Sequence, residues 1–391
     1  MQEVIIASGA RTPFGRFLGS FSEVSGPELG AVAIKGALER AGIKPEQVEE
    51  VIMGVVYQAG MRANPARQAA IMAGIPVEAP AITINQQCSS GLRCFEMAAH
   101  QIMLGKAEII IVGGMENMTR VPYLLTKARG GYRMGSDTLH DGLFWDALID
   151  PFFNKHMGIT AETLAEQYGI TREMQDRFAL TSQENARRAQ EAGFLAEEIV
   201  PVEIKGRKGV EVIDKDEHMN PKATMEGLAK LPSAFKKDGT VTAGNASGIN
   251  DGAAAAVVMS AAKAAELGIT PLATFVDCVS TGVDPSVMGI GPAPAIRKLL
   301  KLNGLTLDDI GRFELNEAFA AQSLAVVKEL GINGELVNVN GGAIALGHPV
   351  GASGTRITLA LLNEMRRSGV KYGISSLCAG GGPGIACLFK R

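Results

Sequence analysis

The chain has 391 residues, enough for two or three domains of ordinary size. A net charge of -3 excludes a general nucleic-acid binder, and five cysteines without CxxC spacing exclude a disulfide framework and a structural zinc site. A 46% hydrophobic content with 47 glycines and one tryptophan describes a tightly packed α/β protein, and no apolar run reaches membrane-spanning length.

In chain order, Val4 to Ala7 reads as a short strand, followed by the turn RTPFG and a loop to Ser25. Pro27 and Glu28 open a helix that ends at Gly42, a glycine just past the last turn. A strand over Val51 to Val56 and a helix from Pro65 to about Gly74 come next. Ala81, Ile82 and Ile84 predict a buried strand, which runs into a polar turn. Cys88 then stands at the mouth of a helix continuing to Gly105. A thiol there meets unpaired backbone N–H groups and the positive end of a helix dipole, which predicts a favoured thiolate; the alternative is a small apolar filler. The strand Ile109 to Val112 runs into Gly113 and Gly114. Apolar strands alternating with helices predict a sheet covered on both faces.

From Met115 to about Gly244 the texture changes. This segment holds the run ARGGYRMG (Ala128 to Gly135), Trp145, amphipathic helices near Thr160–Tyr168 and Thr171–Ala192, and a stretch from Lys205 to Lys237 expected to be solvated. It predicts an inserted loop domain. Regular α/β texture returns at Asn250, with a buried strand over Ala253 to Met259. The second half then repeats the first: Ala37–Gly54 aligns with Leu299–Asn316, setting Gly42 against Gly304, Val48 against Ile310 and Val51 against Phe313. A strand over Leu336–Asn340, a glycine-rich turn, a helix over about Ala352–Ser368 and a strand over Tyr372–Leu377 complete the repeat. The expected organisation is residues 1–118 plus 245–270 as the first half, 119–244 as the loop domain and 271–391 as the second half.

Four polar clusters fall at strand ends: Cys88; NEAFA from Asn316; GGAIALGHPVGASG from Gly341, which contains His348; and CAGGGPG from Cys378. Singly each has a structural explanation as a helix cap, a turn histidine or a core thiol. Together, at equivalent strand ends of a duplicated sheet, they point to a Cys–His pair for acyl transfer. A phosphate-loop reading fails, because His348-Pro349 stands where Lys-Ser/Thr is required. No HExxH or carboxylate-rich cluster suggests a metal.

CSSG at Cys88 and the other three clusters, with RTPFG, GGMENM from Gly113 and GTVTAGNASG from Gly239, resemble the signature blocks of the thiolases over essentially the whole chain. HMG at His156 and the ARGGYRMG loop are similar to the short-chain, biosynthetic branch, the acetyl-CoA acetyltransferases. The resemblance implies duplicated βαβ halves in a five-layered αβαβα arrangement, with the inserted domain serving coenzyme A binding and tetramer formation. It implies reversible Claisen condensation of two acetyl-CoA to acetoacetyl-CoA and CoA through an acetyl-Cys88 intermediate. His348 would act as the base for Cys88, and Cys378 would move the α-proton. One oxyanion would be met by His348 with a water held by Asn316, the other by backbone N–H groups of Cys88 and Gly380.

By the same resemblance, Ser247, His156, Met157, Phe235, Ala243, Ala318, Phe319 and Met288 line the pantetheine and acyl tunnel, where Met157 favours short acyl chains. Asn220 and Gly227 stand where the branch usually has Arg and Ser, so Lys222 or another nearby lysine is the expected holder of the adenine end of coenzyme A. Ser89 stands where Gly or Ala is usual. Coenzyme A is substrate and product, and neither a cofactor nor a metal is implied. The resemblance also implies a homotetramer, in which dimers formed through a sheet edge pair through the ARGGYRMG loop. The net charge and the lack of a long apolar run predict no nucleic-acid or membrane partner, and a start without a targeting leader and an end in FKR predict the cytoplasm. The segment Asn220–Phe235 and the run GPAPAI from Gly291 look closer to the degradative 3-ketoacyl-CoA thiolases, which keeps a broader-chain thiolase as the alternative. A non-catalytic acyl-CoA carrier is the remaining one.

Overall fold

In the computed structural model, which describes residues 2–206 and 209–391, nine strands hydrogen-bond in one continuous order. The first half contributes β1 (Val4–Arg11), β2 (Glu50–Gly54), β3 (Ala81–Ile84), β4 (Ile109–Asn117) and β5 (Asn250–Ser260). The second contributes β6 (Ala273–Gly282), β7 (Arg312–Leu315), β8 (Tyr372–Cys378) and β9 (Pro383–Lys390). The order is β3–β2–β4–β5–β1–β6–β9–β8–β7. β2 runs parallel to β3 and β4, and β7 parallel to β8; the remaining ladders are antiparallel. The halves meet where Val4, Ile5 and Ile6 face Phe275, Thr274 and Ala273.

Among the described residues, eight helices have eight residues or more: α1 (Gly26–Ala41), α2 (Pro65–Met72), α3 (Ser90–Met103), α4 (Met157–Tyr168), α5 (Arg172–Glu191), α6 (Pro292–Asn303), α7 (Ala320–Leu330) and α8 (Val350–Ser368). α1 and α2 bury their apolar faces on the outer side of the first half, and α6 and α7 on the outer side of the second. α3 and α8 lie between the two, packed against strands of both. The result is five layers, α/β/α/β/α. α4 and α5 belong to the segment between β4 and β5, whose short strands pair only with one another.

The repeat holds in detail. α1 starts with a capping box, Ser25 accepting from the Glu28 N–H while Glu28 accepts from the Ser25 N–H, and it ends at Gly42 with φ 66°. α6 ends at Gly304 with φ 64°. Each is followed by one 3₁₀ turn, a buried Val48 or Ile310, and then a strand. The middle layer depends on missing side chains: a Cβ on Gly114 would lie 1.8 Å from the Gly351 carbonyl oxygen, and one on Gly91 2.8 Å from the same atom. Only glycine lets β4, α3 and α8 approach this closely.

Four sequence expectations change. β3 is an edge strand rather than a buried one, with Ile82 39% exposed. Leu336–Asn340 is not a strand: Gly334–Leu336 is a 3₁₀ turn, and only Val337 bridges to Phe313. The reason lies at Asn338, held at φ 48°, whose side-chain amide bonds both the N–H and the C=O of Leu315 at 2.8 Å and so replaces the backbone ladder. α5 covers this edge, with Asn185 and Arg188 donating to the carbonyls of Asn338 and Val339. β2 stops at Gly54, before Val56: the Val55 N–H still donates to the Ile84 carbonyl at 3.0 Å, but those of Val56 and Tyr57 turn to Glu116. Within the stretch expected to be solvated, Asp216 is buried against Arg11 at 2.7 Å, while Arg207 and Lys208 lie outside the described residues. Among the described residues, no helix is long and apolar enough to cross a membrane.

Candidate active site

β3 ends in a tight turn in which Gln87 takes the left-handed conformation, φ 51°, and presents Cys88 just ahead of α3. Ser90 pins the turn: its hydroxyl donates to the Gln87 carbonyl (2.6 Å) and accepts from the Gln86 N–H (2.9 Å). α3 itself begins at Ser90, two residues after the thiol. Ser89 is fully buried, and its hydroxyl has no partner among the described residues.

The second half supplies the remaining groups. β8 delivers Cys378, fully buried against Met157, Met288, Ala318 and Phe319. The following turn carries Gly381 and Gly382 at φ 83° and 101°, and it brings the Gly380 N–H onto the Cys88 sulfur. A Cβ on Gly380 would sit 2.9 Å from the Met157 terminal methyl, so a bare backbone is needed there. β7 ends at Asn316, whose Nδ2 lies 3.4 Å from His348 Nε2. His348 precedes α8, and Val350 at the start of that helix packs with Cys88, Val56 and Tyr57.

Burial dominates the electrostatics. It pushes the Cys88 thiol up to about 11, against the pull of the Gly380 and Cys88 N–H groups. The two N–H groups pull towards thiolate, as the helix-mouth position predicts, but burial outweighs them. Burial, aided by the Arg356 cation, drops His348 to about 3, so the imidazole is neutral and its lone pair is free to take a proton. Cys378 is also pushed up by burial, and further by its neighbour Cys88. Thiol and neutral imidazole, rather than an ion pair, form the resting state.

Several residues that hold this site were not singled out in the sequence. Asn250 Oδ1 accepts the His348 N–H at 3.0 Å, and a Cβ on Gly347 would lie 2.6 Å from the Asn250 side chain. Glu116 accepts from the N–H groups of Val56 (2.9 Å), Tyr57 (3.0 Å) and Gly351 (2.9 Å), tying the first half to the first turn of α8. Burial lifts its carboxyl to about 7, opposed by those three donors. The signal was a charged residue inside the apolar run IIIVGGMEN. Ser353 Oγ lies 2.6 Å from His348 Nδ1.

Of the expected tunnel residues, Met157, Met288, Ala318 and Phe319 pack in one cluster with Cys378, and Phe235 lies against it. His156 stacks on Phe235 at 4.5 Å, and its Nδ1 accepts the Gly158 N–H that opens α4. Ser247 donates through Oγ and N–H to the Ala318 carbonyl at 3.1 and 3.0 Å. Ala243 and Lys222 instead line a different cavity of about 360 Å³, together with His218, Asn220 and Gly227.

A thiol that takes backbone N–H donors, with a neutral imidazole ahead of the helix whose Val350 packs against that thiol, suits covalent acyl transfer, and the fold is that of a duplicated α/β acyltransferase. The chain belongs to the thiolase family: residues 4–262 match the thiolase N-terminal domain and residues 269–391 the thiolase C-terminal domain. It is 56% identical to the acetyl-CoA acetyltransferase of Cupriavidus necator over all of both chains. It is 54% identical to that of Syntrophomonas wolfei, covering all of this chain and 99% of the other. Among solved structures, the Bacillus anthracis acetyl-CoA acetyltransferase superposes with a TM-score of 0.98 at 47% identity, covering 100% of this chain and 99% of that one. Human mitochondrial 3-ketoacyl-CoA thiolase superposes with a TM-score of 0.97 at 44% identity, with the same coverage.

Proposed function

We propose that the chain is an acetyl-CoA C-acetyltransferase that joins two acetyl-CoA into acetoacetyl-CoA and CoA, reversibly. The reading is supported by the Gly380 N–H acting on the Cys88 sulfur, by Cys88 acting in turn on the Cys378 thiol, and by Asn316 Nδ2 lying 3.4 Å from His348 Nε2. His348 Nε2 takes the Cys88 proton, and the thiolate attacks the thioester carbonyl. CoA leaves as a thiol with the proton returned from His348, and the acetyl group stays on Cys88. The Cys378 thiol passes its proton to His348, and its thiolate withdraws the α-proton of the second acetyl-CoA. The resulting carbanion attacks the acetyl carbonyl, a C–C bond forms, the Cys88–acyl bond breaks, and His348 returns the proton to the Cys88 sulfur. The N–H groups of Cys88 and Gly380 face the oxyanion on the acyl-enzyme, and His348 with an Asn316-held water faces the oxyanion of the second thioester.

The tunnel of His156, Met157, Phe235, Ser247, Met288, Ala318 and Phe319 takes the pantetheine arm, while the cavity at Ala243 and Lys222 takes the nucleotide end. Residues 119–244 act as the coenzyme A domain between halves 1–118 plus 245–270 and 271–391. The assembly is a homotetramer: dimers form through the open β3 edge and pair through the exposed loop 128–135. Deleting that loop leaves dimers in light scattering; an unchanged mass contradicts the arrangement. Free thiols at Cys88 and Cys378 suit a reducing cytoplasm.

The function is tested by adding CoA to acetoacetyl-CoA and following the enolate absorbance. Rapid loss is expected, and no loss contradicts the enzyme. The likeness to a 3-ketoacyl-CoA thiolase favours one second reading, a broader-chain thiolase. A chain-length series decides between the two: rates that fall beyond four carbons support the short-chain enzyme, and rates that rise overturn it.

A further inference from the structure

Imidazole has two nitrogens, and only one of them carries hydrogen when the ring is neutral. The mechanism above needs the lone pair on Nε2, the nitrogen beside Asn316. What decides the tautomer is the partner of the other nitrogen. In metal and triad sites that partner is often a carboxylate, which also raises the basicity of the ring. Here no carboxylate bonds Nδ1. Its partner is the hydroxyl of Ser353, 2.6 Å away, in the first turns of the same helix that His348 precedes.

The hydrogen bonds around this hydroxyl have one consistent direction. Ser353 Oγ lies 2.9 Å from the Pro349 carbonyl, four residues back, the usual acceptor for a serine inside a helix. If the single hydroxyl hydrogen goes there, Oγ presents its lone pair to Nδ1, which must then carry the ring hydrogen. Nε2 is left as an acceptor, and what faces it is the Asn316 Nδ2 amide donor at 3.4 Å. Every donor in this relay, from Asn316 to Nε2 and from Nδ1 through Oγ to Pro349, meets an acceptor. In the opposite direction the hydroxyl would donate to Nδ1, its bond to the Pro349 carbonyl would be lost, and Nε2–H would need the Asn316 amide turned over so that Oδ1 faced it. Ser353 is fully buried, so water cannot substitute for it.

We propose that Ser353 is the positioning residue that holds His348 in its Nδ1–H tautomer, so that Nε2 alone exchanges the proton with Cys88 and with the departing CoA sulfur. This rests on the acyl-transfer reading of the site. The choice of a neutral hydroxyl has a chemical consequence. When Nε2 takes the Cys88 proton, the imidazolium gains a hydrogen bond but no ion pair from Ser353. The ring therefore stays a weak base and returns its proton readily to the thiolate that leaves.

The direct test needs no turnover, so its failure is separable from failure of the proposed function. In protein labelled with ¹⁵N-histidine at neutral pH, long-range ¹H–¹⁵N spectra should show the His348 Nδ1 protonated and Nε2 bare. The Nε2–H tautomer in the wild-type protein would overturn the proposal. Ser353→Ala should shift the ring towards Nε2–H and slow acetylation of Cys88 by about 10²-fold, a loss typical of a misoriented base. Ser353→Thr, which keeps the hydroxyl, should restore both readouts. An Ala variant with wild-type tautomer and acetylation rate would also overturn it.

Discussion

In the first half of the sheet, β3 hands the chain to Gln87, Cys88 and α3; in the second, the matching position after Val337 hands it to a glycine-rich turn, His348 and α8. The frames match down to the left-handed glycines that end α1 and α6, but the chemistry is divided. One half brings a thiol, while the other brings an imidazole, an amide, a second thiol and a bare N–H. The edges diverge as well. β3 is open, whereas its counterpart is reduced to one bridge, locked by Asn338 and covered by α5. Duplication thus supplies equivalent positions, and function comes from filling them differently. Neither half is complete, because the Gly380 N–H of the second serves the Cys88 sulfur of the first.

The largest effect that tests this division is at the two thiols. Cys88→Ala should abolish both CoA release from acetyl-CoA and acetoacetyl-CoA formation. Cys378→Ala should still release CoA on acylation, while condensation falls by about 10²–10⁴-fold, the usual contribution of a general base. Equal losses in both assays for both variants would break the comparison.

A smaller effect lies in pH dependence, where buried groups of the two halves act with opposite sign. Glu116, raised to about 7, favours the fold below about pH 4.5, and this contribution is lost as pH rises through 7. His348, lowered to about 3, favours the fold above about pH 6.5, and this contribution is lost as pH falls towards 3. Each contributes at most about 1.4 kcal/mol per pH unit within its window. Melting temperatures between pH 5 and 7 should therefore rise more steeply with pH in Glu116→Gln and less steeply in His348→Asn than in the wild type. The His348 variant keeps some slope, since burial also lowers His156 and His218. Parallel curves for all three proteins would contradict these assignments.

The glycine-capped helices, the repeat of α1–β2 in α6–β7 and three of the four clusters at strand ends could be read from residue spacing; the fourth, around His348, follows a single bridge rather than a strand. Spacing could not say whether a strand lies at an edge. Ala81–Ile84 and Leu336–Asn340 both look like strands, yet β3 is left half-exposed and the other is replaced by a side-chain amide. Nor could it weigh a helix N-terminus against burial, which decides the state of Cys88. The residues that hold this stretch were missed for simpler reasons: Asn250 and Glu116 reach His348 and Gly351 across 98 and 235 positions, and Ser353, 5 residues from His348, meets its ring only because the first turns of α8 bring it back. Ser89 sharpened without gaining a role, being buried with its hydroxyl unpartnered among the described residues.

The division of labour is tested most directly by locating the acyl group. Protein quenched in acid after brief mixing with acetyl-CoA, then digested and analysed by mass spectrometry, should carry one acetyl group on the peptide containing Cys88, in both wild type and Cys378→Ala. An acetyl group on the Cys378 peptide, or none on the Cys88 peptide, would contradict it.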